Sequence, residues 1–239
     1  MIAQGGKAIS GASVGILMLD THIPRIPGDV GNATTWPFPV HYKIVRGASP
    51  ERVVLQQSEG LRDTFIEAAQ ELVADGVDGI STTCGFLSLM QSDLKASVPV
   101  PVAASSLMQA PLVAATLPQG KHVTILTISG PSLTPAHFEA ANVALDTPVE
   151  GLPPDCEFAA KIIGNGASMD IDQCNTDLLR AGQMIMEKYP QTGAIVLECT
   201  NMVPFAAGMQ RALGVPVYSI YSFILWFQAG LLPRQFPTN

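Results

Sequence analysis

The sequence contains one short pattern twice, and this repeat is the feature that most limits the folds open to the chain. The stretch VDGISTTCGF places Cys84 after a short apolar run and a polar tip, and GAIVLECTN places Cys199 after a similar run. The two cysteines lie 115 residues apart (199 − 84), and Val-Pro-Val begins 16 residues after each of them. Upstream, Val14–Asp20 is matched by Val123–Ser129. We therefore predict two similar halves that each present one thiol.

The composition favours a well-packed protein with a small-molecule partner. Of the 239 residues, 47% are hydrophobic and 14% charged, which argues against long disordered regions. A net charge of −7 argues against a nucleic-acid surface, which needs clustered Lys and Arg. The four cysteines form no C-x-x-C pair and no zinc-like pattern with the four histidines, so we expect no metal site and no disulfide scaffold. These features favour a reducing, cytoplasmic setting.

Neither end of the chain has a pattern that indicates a membrane segment. The first apolar run is similar to a signal peptide, but it ends in Asp20-Thr21-His22 without a small-x-small cleavage site, so we interpret it as a core strand. The apolar stretch 223–232 is too short to span a bilayer. We therefore expect a soluble protein without a membrane partner. We expect the helix at Tyr221–Leu231 to pack against the sheet or against a second copy in a homo-oligomer.

Strands and helices alternate along the chain. Val14–Leu19 and Val123–Ile128 are continuously apolar, which is typical of strands buried on both faces of a parallel sheet. Apolar residues recur at helical spacing over Ser58–Asp75, with Ser58 as a plausible N-cap. Further strands are predicted at 41–46, 78–80, 98–102, 194–197 and 215–220, and further helices from 85, at 105–117, from 134 and up to about 189.

This alternation predicts an α/β fold of two similar lobes, each a mostly parallel sheet flanked by helices. A pseudo-twofold axis would relate the lobes and place the site between them. We place the N-terminal lobe with Cys84 at residues 1–118 and the C-terminal lobe with Cys199 at residues 119–239. The C-terminal helix is free to cross over to the first lobe.

A long Pro- and Gly-rich passage, Pro24–Pro39, separates the first two predicted strands. Long loops in compact domains are usually functional, so this one is either a wall of the active site or a surface excursion. In the first case it would cover the cleft and supply an aromatic wall from Trp36 or Phe38. Arg25 in the same loop would either clamp a carboxylate or remain solvated.

Cys84 and Cys199 are the candidate catalytic residues. Each follows a predicted strand, is flanked by small or hydroxyl residues, and precedes a predicted helix start, where the dipole and free N–H groups favour a thiolate. Cys156 and Cys174 lack this setting, and we interpret them as core residues. Glu198 would point to the opposite strand face from Cys199, so we interpret it as structural.

Two thiols that face each other across a cleft suit the inversion of a carbon with an acidic C–H. One thiolate removes the proton from one face, and the opposite thiol returns a proton to the other face. This chemistry needs no metal or organic cofactor, and the sequence has no Gly-rich nucleotide-binding pattern.

The chain resembles the aspartate/glutamate/hydantoin racemase superfamily over essentially its whole length, most specifically in the stretches T-T-C-G-F and E-C-T-N-M. The resemblance implies two α/β lobes with a catalytic Cys in each, no cofactor, and a small carboxylate or amino-acid-like substrate. It also implies that residues near each Cys bind the substrate. By this resemblance the substrate-binding residues are Asp20, Thr21, Thr83, Gly85, Phe86, Thr127, Ser129, Thr200 and Asn201.

Two departures from the family pattern leave alternatives to a racemase or epimerase. Cys84-Gly85-Phe86 stands where amino-acid racemases commonly have Cys-Asn-Thr, and Asn201 stands where glutamate racemases have His. Cys-Thr-Asn is also similar to the maleate isomerase branch. The alternatives are therefore a cis–trans isomerase or decarboxylase of small dicarboxylates, of the maleate isomerase or arylmalonate decarboxylase type, and a non-catalytic ligand-binding protein.

Overall fold

The computed structural model describes residues 5–237, which form two four-stranded parallel sheets flanked by helices. The first half contains β1 (Val14–Leu19), β2 (Val40–Val45), α1 (Pro50–Val54), α2 (Arg62–Asp75), β3 (Gly79–Thr82), α3 (Gln91–Ser97), β4 (Val102–Ala103) and α4 (Ala110–Ala114). The second half contains β5 (His122–Thr127), α5 (Pro135–Ala140), β6 (Val149–Gly151), α6 (Glu157–Ile163), α7 (Ile171–Lys188), β7 (Thr192–Leu197), α8 (Ala206–Leu213), β8 (Val217–Tyr218) and α9 (Ile220–Leu231). Short 3₁₀ segments lie at Ala33–Thr35, Gly85–Met90, Ser106–Gln109 and Thr200–Phe205.

The two sheets have the same topology. Their strand orders are β2-β1-β3-β4 and β6-β5-β7-β8, and every neighbouring pair is parallel. In each sheet the first strand of the half pairs with the strand that leads to a cysteine, β1 with β3 and β5 with β7. The predicted α/β fold of two similar lobes is therefore confirmed, because the two apolar strands are buried at the centres of equivalent parallel sheets.

Local differences from the predicted elements have clear causes. The edge strand β6 was not predicted, since it has three residues and depends on pairing with β5, where Val149 lies opposite Ile125. Ser58 is not the N-cap of α2, because its backbone is left-handed (φ +61°) and the helix begins after Leu61. The predicted helix after Cys84 starts as a 3₁₀ segment and becomes α-helical only at α3.

The C-terminal helix α9 packs against the first sheet. Its residues Ile220, Phe223 and Ile224 share a buried cluster with Val14 and Ile16 of β1. On this basis we propose that the lobes divide at residues 118/119 and that α9 crosses over to the first lobe. Although α9 has no charged residue, neither it nor any other helix in the described part of the chain is both long and apolar enough to cross a membrane.

A glycine in β3 permits this close packing. A Cβ atom at Gly79 would lie 2.5 Å from Leu231 Cδ1 and 2.8 Å from Phe227 Cε1, distances shorter than real Cβ contacts. Any larger residue at Gly79 would therefore displace the side chains of Leu231 and Phe227.

Candidate active site

Cys84 and Cys199 occupy equivalent places, just beyond the carboxyl ends of β3 and β7. Both have extended backbone, and each caps the 3₁₀ segment that follows it. Both are buried, with 8% and 7% of their surface exposed. The Thr200 hydroxyl donates a hydrogen bond to the Thr83 carbonyl across the two lobes (2.6 Å), which holds the two cysteine-bearing turns together.

Both thiols line one small cavity between the lobes. Its volume is about 20 Å³, enough for about one water molecule. The polar lining residues are Thr21, Arg25, Thr83, Cys84, Glu198, Cys199, Thr200 and Asn201. The remaining lining residues are Leu19, Ile23, Pro50, Val54, Phe86, Ile128 and Ile162. Apolar walls with a few convergent polar groups are typical of sites for small molecules.

The environment of the two thiols favours their protonated forms. Burial, followed by the nearby charge of Glu198, raises the pKa of both Cys84 and Cys199. Backbone N–H groups of Phe86 and Leu87 act in the opposite direction and lower the pKa of Cys84. We expected the N-terminus of the helix after each cysteine to favour a thiolate. That expectation is wrong for the structure described here, because the effect of burial on the pKa outweighs that of the N–H groups.

The side chain of Glu198 lines the cavity, although the strand pattern predicted that it would point away from Cys199. Its side chain is fully buried and lines the cavity beside both thiols. The Thr127 hydroxyl donates a 2.8 Å hydrogen bond to Glu198 Oε2, whereas Oε1 has no hydrogen-bond partner among residues 5–237. Burial raises the pKa of Glu198 to about 7, and the Thr127 hydroxyl and the backbone N–H groups of Ile128 and Phe86 lower it only in part.

The end of β7 explains this error. The strand ends at Leu197, so the alternation of faces that holds within a strand does not extend to Glu198 and Cys199. Both side chains consequently reach the same cavity. Within the sequence, a charged residue at the end of an apolar run was the only signal of its importance.

Gly85 allows Glu198 to take this position. A Cβ atom at residue 85 would lie 2.4 Å from both the backbone oxygen and Oε1 of Glu198. The Gly85 carbonyl also accepts a 2.6 Å hydrogen bond from the Ser105 hydroxyl. Gly85 therefore contributes to the site through the absence of a side chain.

The loop Pro24–Pro39 reaches the site through a chain of polar contacts. Arg25 donates to Asp29 Oδ1 (2.8 Å) and to the Thr21 hydroxyl (2.5 Å). Asn201 donates to Asp29 Oδ2 (2.7 Å) and accepts from the Cys199 thiol (3.8 Å). The loop thus connects the first lobe to the second cysteine, and Asp29 is a contributor that no pattern in the sequence indicated.

The aromatic residues of that loop lie elsewhere. Trp36 stacks on Phe38 and on Tyr221 of α9, with ring centroids 5.9 Å and 5.5 Å apart, and neither Trp36 nor Phe38 lines the cavity. The prediction of an aromatic wall from these two residues is therefore wrong. Phe86 supplies the aromatic wall, and its ring meets His137 edge-on at 5.2 Å.

Four residues proposed for substrate binding, Gly85 among them, do not line the cavity. Asp20 instead accepts hydrogen bonds from Arg46 (3.2 Å) and from the Gly47 backbone (3.1 Å). Ser129 shares a 2.8 Å hydrogen bond with Ser132, and Thr127 reaches the site only through Glu198. Within residues 5–237, no group of three or more His, Cys, Asp or Glu side chains is arranged to hold a metal ion.

Comparisons of sequence identify relatives of one named activity, although no family model matches the chain. The chain is 27% identical to a dimethylsulfoniopropionate lyase of Durusdinium sp. clade D, over 88% of this chain and 72% of that protein. It is also 27% identical to dimethylsulfoniopropionate lyase 7 of Emiliania huxleyi, over 92% of this chain and 67% of that protein. Lyase 6 of the same organism is 30% identical, over 86% of this chain and 56% of its own length.

Solved structures match the fold over nearly the whole chain. Unliganded arylmalonate decarboxylase has a TM-score of 0.59 at 15% identity, covering 95% of each chain. Allantoin racemase from Pseudomonas fluorescens has a TM-score of 0.58 at 13% identity, covering 95% of this chain and 99% of that one. The sequence relatives are named as enzymes, which supports an enzymatic role. The chain thus has the fold of the aspartate/glutamate/hydantoin racemase superfamily, to which its two cysteine motifs already pointed.

Proposed function

We propose that the protein is a lyase that removes a proton next to a carboxylate and expels a sulfonium group from the neighbouring carbon. The substrate class is that of dimethylsulfoniopropionate. The observation that carries the proposal is the single cavity lined by two thiols and a buried carboxylate, which can accept a carbon-bound proton. The relatives named for this lyase activity match 86–92% of the chain, and they direct the proposal to this substrate.

The proposed reaction balances without a cofactor. A thiolate takes the proton from the carbon next to the carboxylate, and the electrons of that C–H bond form a carbon–carbon double bond. The neighbouring C–S bond breaks, and its electron pair leaves with dimethyl sulfide. The products are acrylate, dimethyl sulfide and one proton, which remains on the enzyme until it passes to solvent.

The cavity has groups that suit this substrate. Negative charge develops on the substrate carboxylate as the proton leaves, and preorganised N–H donors stabilise such charge. Arg25 lines the cavity and uses N–H groups on Asp29 and Thr21, while its guanidinium has five donors in all. The remaining donors are available to a carboxylate.

The cavity volume sets a condition on this proposal. About 20 Å³ is too small for a substrate with several heavy atoms, so the site must widen when the substrate binds. The contacts that close it on the loop side are those of Arg25, Asp29 and Asn201. We expect these contacts to rearrange on binding.

A second candidate is a racemase or epimerase, as the sequence motifs suggested. The observation in its favour is that the two thiols come from different lobes and line the same cavity, an arrangement that elimination alone does not need. A decarboxylase or cis–trans isomerase of small dicarboxylates would use the same thiols. A thiol would act as base and acid in a racemase, as proton donor in a decarboxylase and as nucleophile in a cis–trans isomerase, so the products distinguish these reactions.

The experiment is a product assay with the purified full chain in D₂O. Dimethylsulfoniopropionate is added, acrylate is followed by NMR, and dimethyl sulfide is followed by headspace gas chromatography. We expect both products in equal amounts, and we expect one of the two variants Cys84→Ser and Cys199→Ser to lose them far more than the other. Cys156→Ala is the matched control, since Cys156 is a half-buried free thiol outside this cavity.

The same assay tests the alternatives. Single enantiomers of amino acids and hydantoins are followed by loss of optical rotation, and maleate and arylmalonates by NMR. Racemisation without elimination would overturn the lyase proposal in favour of the second candidate. Turnover of none of these compounds, with ligand binding detected by calorimetry, would favour a binding protein.

A further inference from the structure

Glu198 presents an unusual combination of burial and missing contacts. The side chain has no exposed surface, and only one of its two oxygens is hydrogen-bonded within the described residues. An ionised carboxylate in such a position costs several kcal/mol unless something compensates it. Two neighbouring residues nevertheless accommodate the carboxylate, because Gly85 has no side chain to occupy its space and Thr127 donates a hydrogen bond to it.

The other ionisable groups near the cavity already have partners or are neutral. Asp29 is bound by Arg25, by Asn201 and by a backbone N–H, so its charge is compensated. His137 packs behind Phe86, and its burial lowers its pKa, which keeps it neutral near pH 7. Glu198 is consequently the acidic group of the cavity whose charge is offset only in part, by Thr127 and two backbone N–H groups.

The thiols and Glu198 strongly influence one another. The charge of Glu198 raises the pKa of both Cys84 and Cys199, and Cys84 also raises the pKa of Cys199. In a buried site of low polarity, a second negative charge close to the first is disfavoured. Once one of the three groups is ionised, ionisation of a second is therefore disfavoured.

We propose that Glu198 accepts the proton of whichever cysteine becomes the thiolate, so that Cys84, Cys199 and Glu198 share one negative charge. The proposal rests on the proposed function in one respect, namely that a thiolate is the base. Glu198 does not react with the substrate. It acts through the thiols, by holding the proton that one of them releases. The shared charge explains how a buried thiol, which is more stable in its neutral form, becomes a reactive thiolate while the net charge of the cavity stays the same.

The proton transfers balance over the whole cycle. In the resting enzyme the cysteine is a thiol and Glu198 a carboxylate. The thiol proton moves to Glu198, and the resulting thiolate takes the substrate proton and is a thiol again. After the products leave, Glu198 is protonated, and it returns its proton to solvent when the cavity opens.

The proposal predicts an unusual pH profile for alkylation of the two thiols. At pH values below the pKa of a lone thiol, its alkylation rate rises tenfold for each unit of increase in pH, because only the thiolate reacts. If Glu198 accepts the thiol proton, the thiolate form and the thiol form of the site carry the same number of protons. Their ratio, and so the thiolate fraction, is then constant at pH values where the site carries one negative charge. Above the Glu198 pKa of about 7, the rate should therefore be flat until the second ionisation.

The experiment measures iodoacetamide alkylation of the Cys84 and Cys199 peptides by mass spectrometry between pH 6 and 9.5. Opening of the cavity multiplies all rates at one site equally, so the slope of the profile is the quantity of interest. We expect a flat region above about pH 7.5 in the wild type and a tenfold rise per pH unit in Glu198→Gln. A tenfold rise per unit in the wild type, or a flat region that survives in Glu198→Gln, would overturn the proposal.

Two further variants keep the test independent of folding defects. Glu150→Gln is the matched control, because Glu150 is also a buried glutamate of the second sheet but bonds Lys188 (3.0 Å) outside the cavity. Its profile should equal that of the wild type. Thr127→Val keeps Glu198 but removes a hydrogen bond that lowers its pKa, so the flat region should begin at higher pH. An unchanged onset in Thr127→Val, in the folded protein, would contradict the proposal.

Activity gives a second readout. Above about pH 7.5, kcat/KM for elimination should be independent of pH in the wild type, because the thiolate fraction is constant there. In Glu198→Gln, kcat/KM should rise about tenfold per pH unit, because its thiols ionise directly into solvent. Alkylation needs no substrate, so the two proposals can fail separately. If no elimination products form but the alkylation rate still has its flat region, the proposed function is refuted and the shared-charge proposal stands.

Discussion

The substitution Gly85→Ala tests the geometry of the site most directly. The added methyl carbon would lie 2.4 Å from the backbone oxygen and from Oε1 of Glu198, about 1 Å closer than an ordinary contact. Both atoms are buried, and the backbone oxygen also accepts a hydrogen bond from Ser106 (2.9 Å), so it has little freedom to move. Overpacking of this kind costs about 1–3 kcal/mol. For a chain of this length the melting temperature should fall by roughly 2–12 °C.

The same substitution should affect activity more than stability. A displacement of about 1 Å at a reacting group reduces rates by about 100-fold, and Glu198 would have to move by that distance. The assay combines thermal unfolding with kcat/KM for acrylate formation. Gly230→Ala is the matched control, because its methyl group meets no atom within 4 Å on the exposed face of α9. This control should be neutral or stabilising by up to about 1 kcal/mol.

One outcome would show that the carboxyl group of Glu198 lies elsewhere. If Gly85→Ala melts within about 1 °C of the wild type and keeps full activity, the carboxyl group of Glu198 does not lie against residue 85. The placement of Glu198 beside both thiols would then be wrong, and the shared-charge proposal would lose its basis.

Four other predictions follow from the site and from the packing of α9. In a lyase, either Cys84→Ser or Cys199→Ser should reduce elimination far more than the other, whereas a racemase should lose turnover in both, with opposite enantiomer preferences in residual solvent exchange. Arg25→Gln should raise KM for a carboxylate substrate by about tenfold or more, measured at saturating and limiting substrate. Because burial raises the folded-state pKa of Glu198 from 4.5 to about 7, it should lower the free energy of unfolding by about 3 kcal/mol as pH rises from 4.5 to 8, and Glu198→Gln should remove that dependence in denaturant titrations. Gly79→Ala should destabilise the fold by about 1–3 kcal/mol in the same titrations, since its methyl group would overlap α9.

Three outcomes would contradict these predictions, and one further variant serves as a control. Equal loss of elimination in both serine variants would contradict a single-base lyase, and Cys174→Ala should leave elimination unchanged. An unaltered KM in Arg25→Gln would show that the substrate carboxylate binds elsewhere. If Glu198→Gln keeps the full pH dependence of stability, the titrating group lies outside the cavity.

The topology could be predicted from the sequence because it depends on local patterns. Continuously apolar runs such as β1 and β5 suit strands that are buried on both faces, and the matched offset of the two cysteines indicated two similar lobes. The edge strand β6 could not be predicted in this way. Its three residues, Val149–Gly151, have no periodic pattern of their own and become a strand only because β5 lies beside them.

The residues of the site also fall into those that local sequence patterns identify and those that only the tertiary structure brings together. The repeat by itself singled out Cys84 and Cys199, because a matched position after a buried strand places a side chain at the same edge of each sheet. Only the tertiary structure brought Glu198 to them, since β7 ends at Leu197 and the alternation of strand faces does not extend to Glu198 and Cys199. Asp20 shows the reverse, as its carboxylate is occupied by Arg46 from the neighbouring strand end. The protonation states also depend on the folded chain alone, because burial and the proximity of other charges arise only when distant segments pack together.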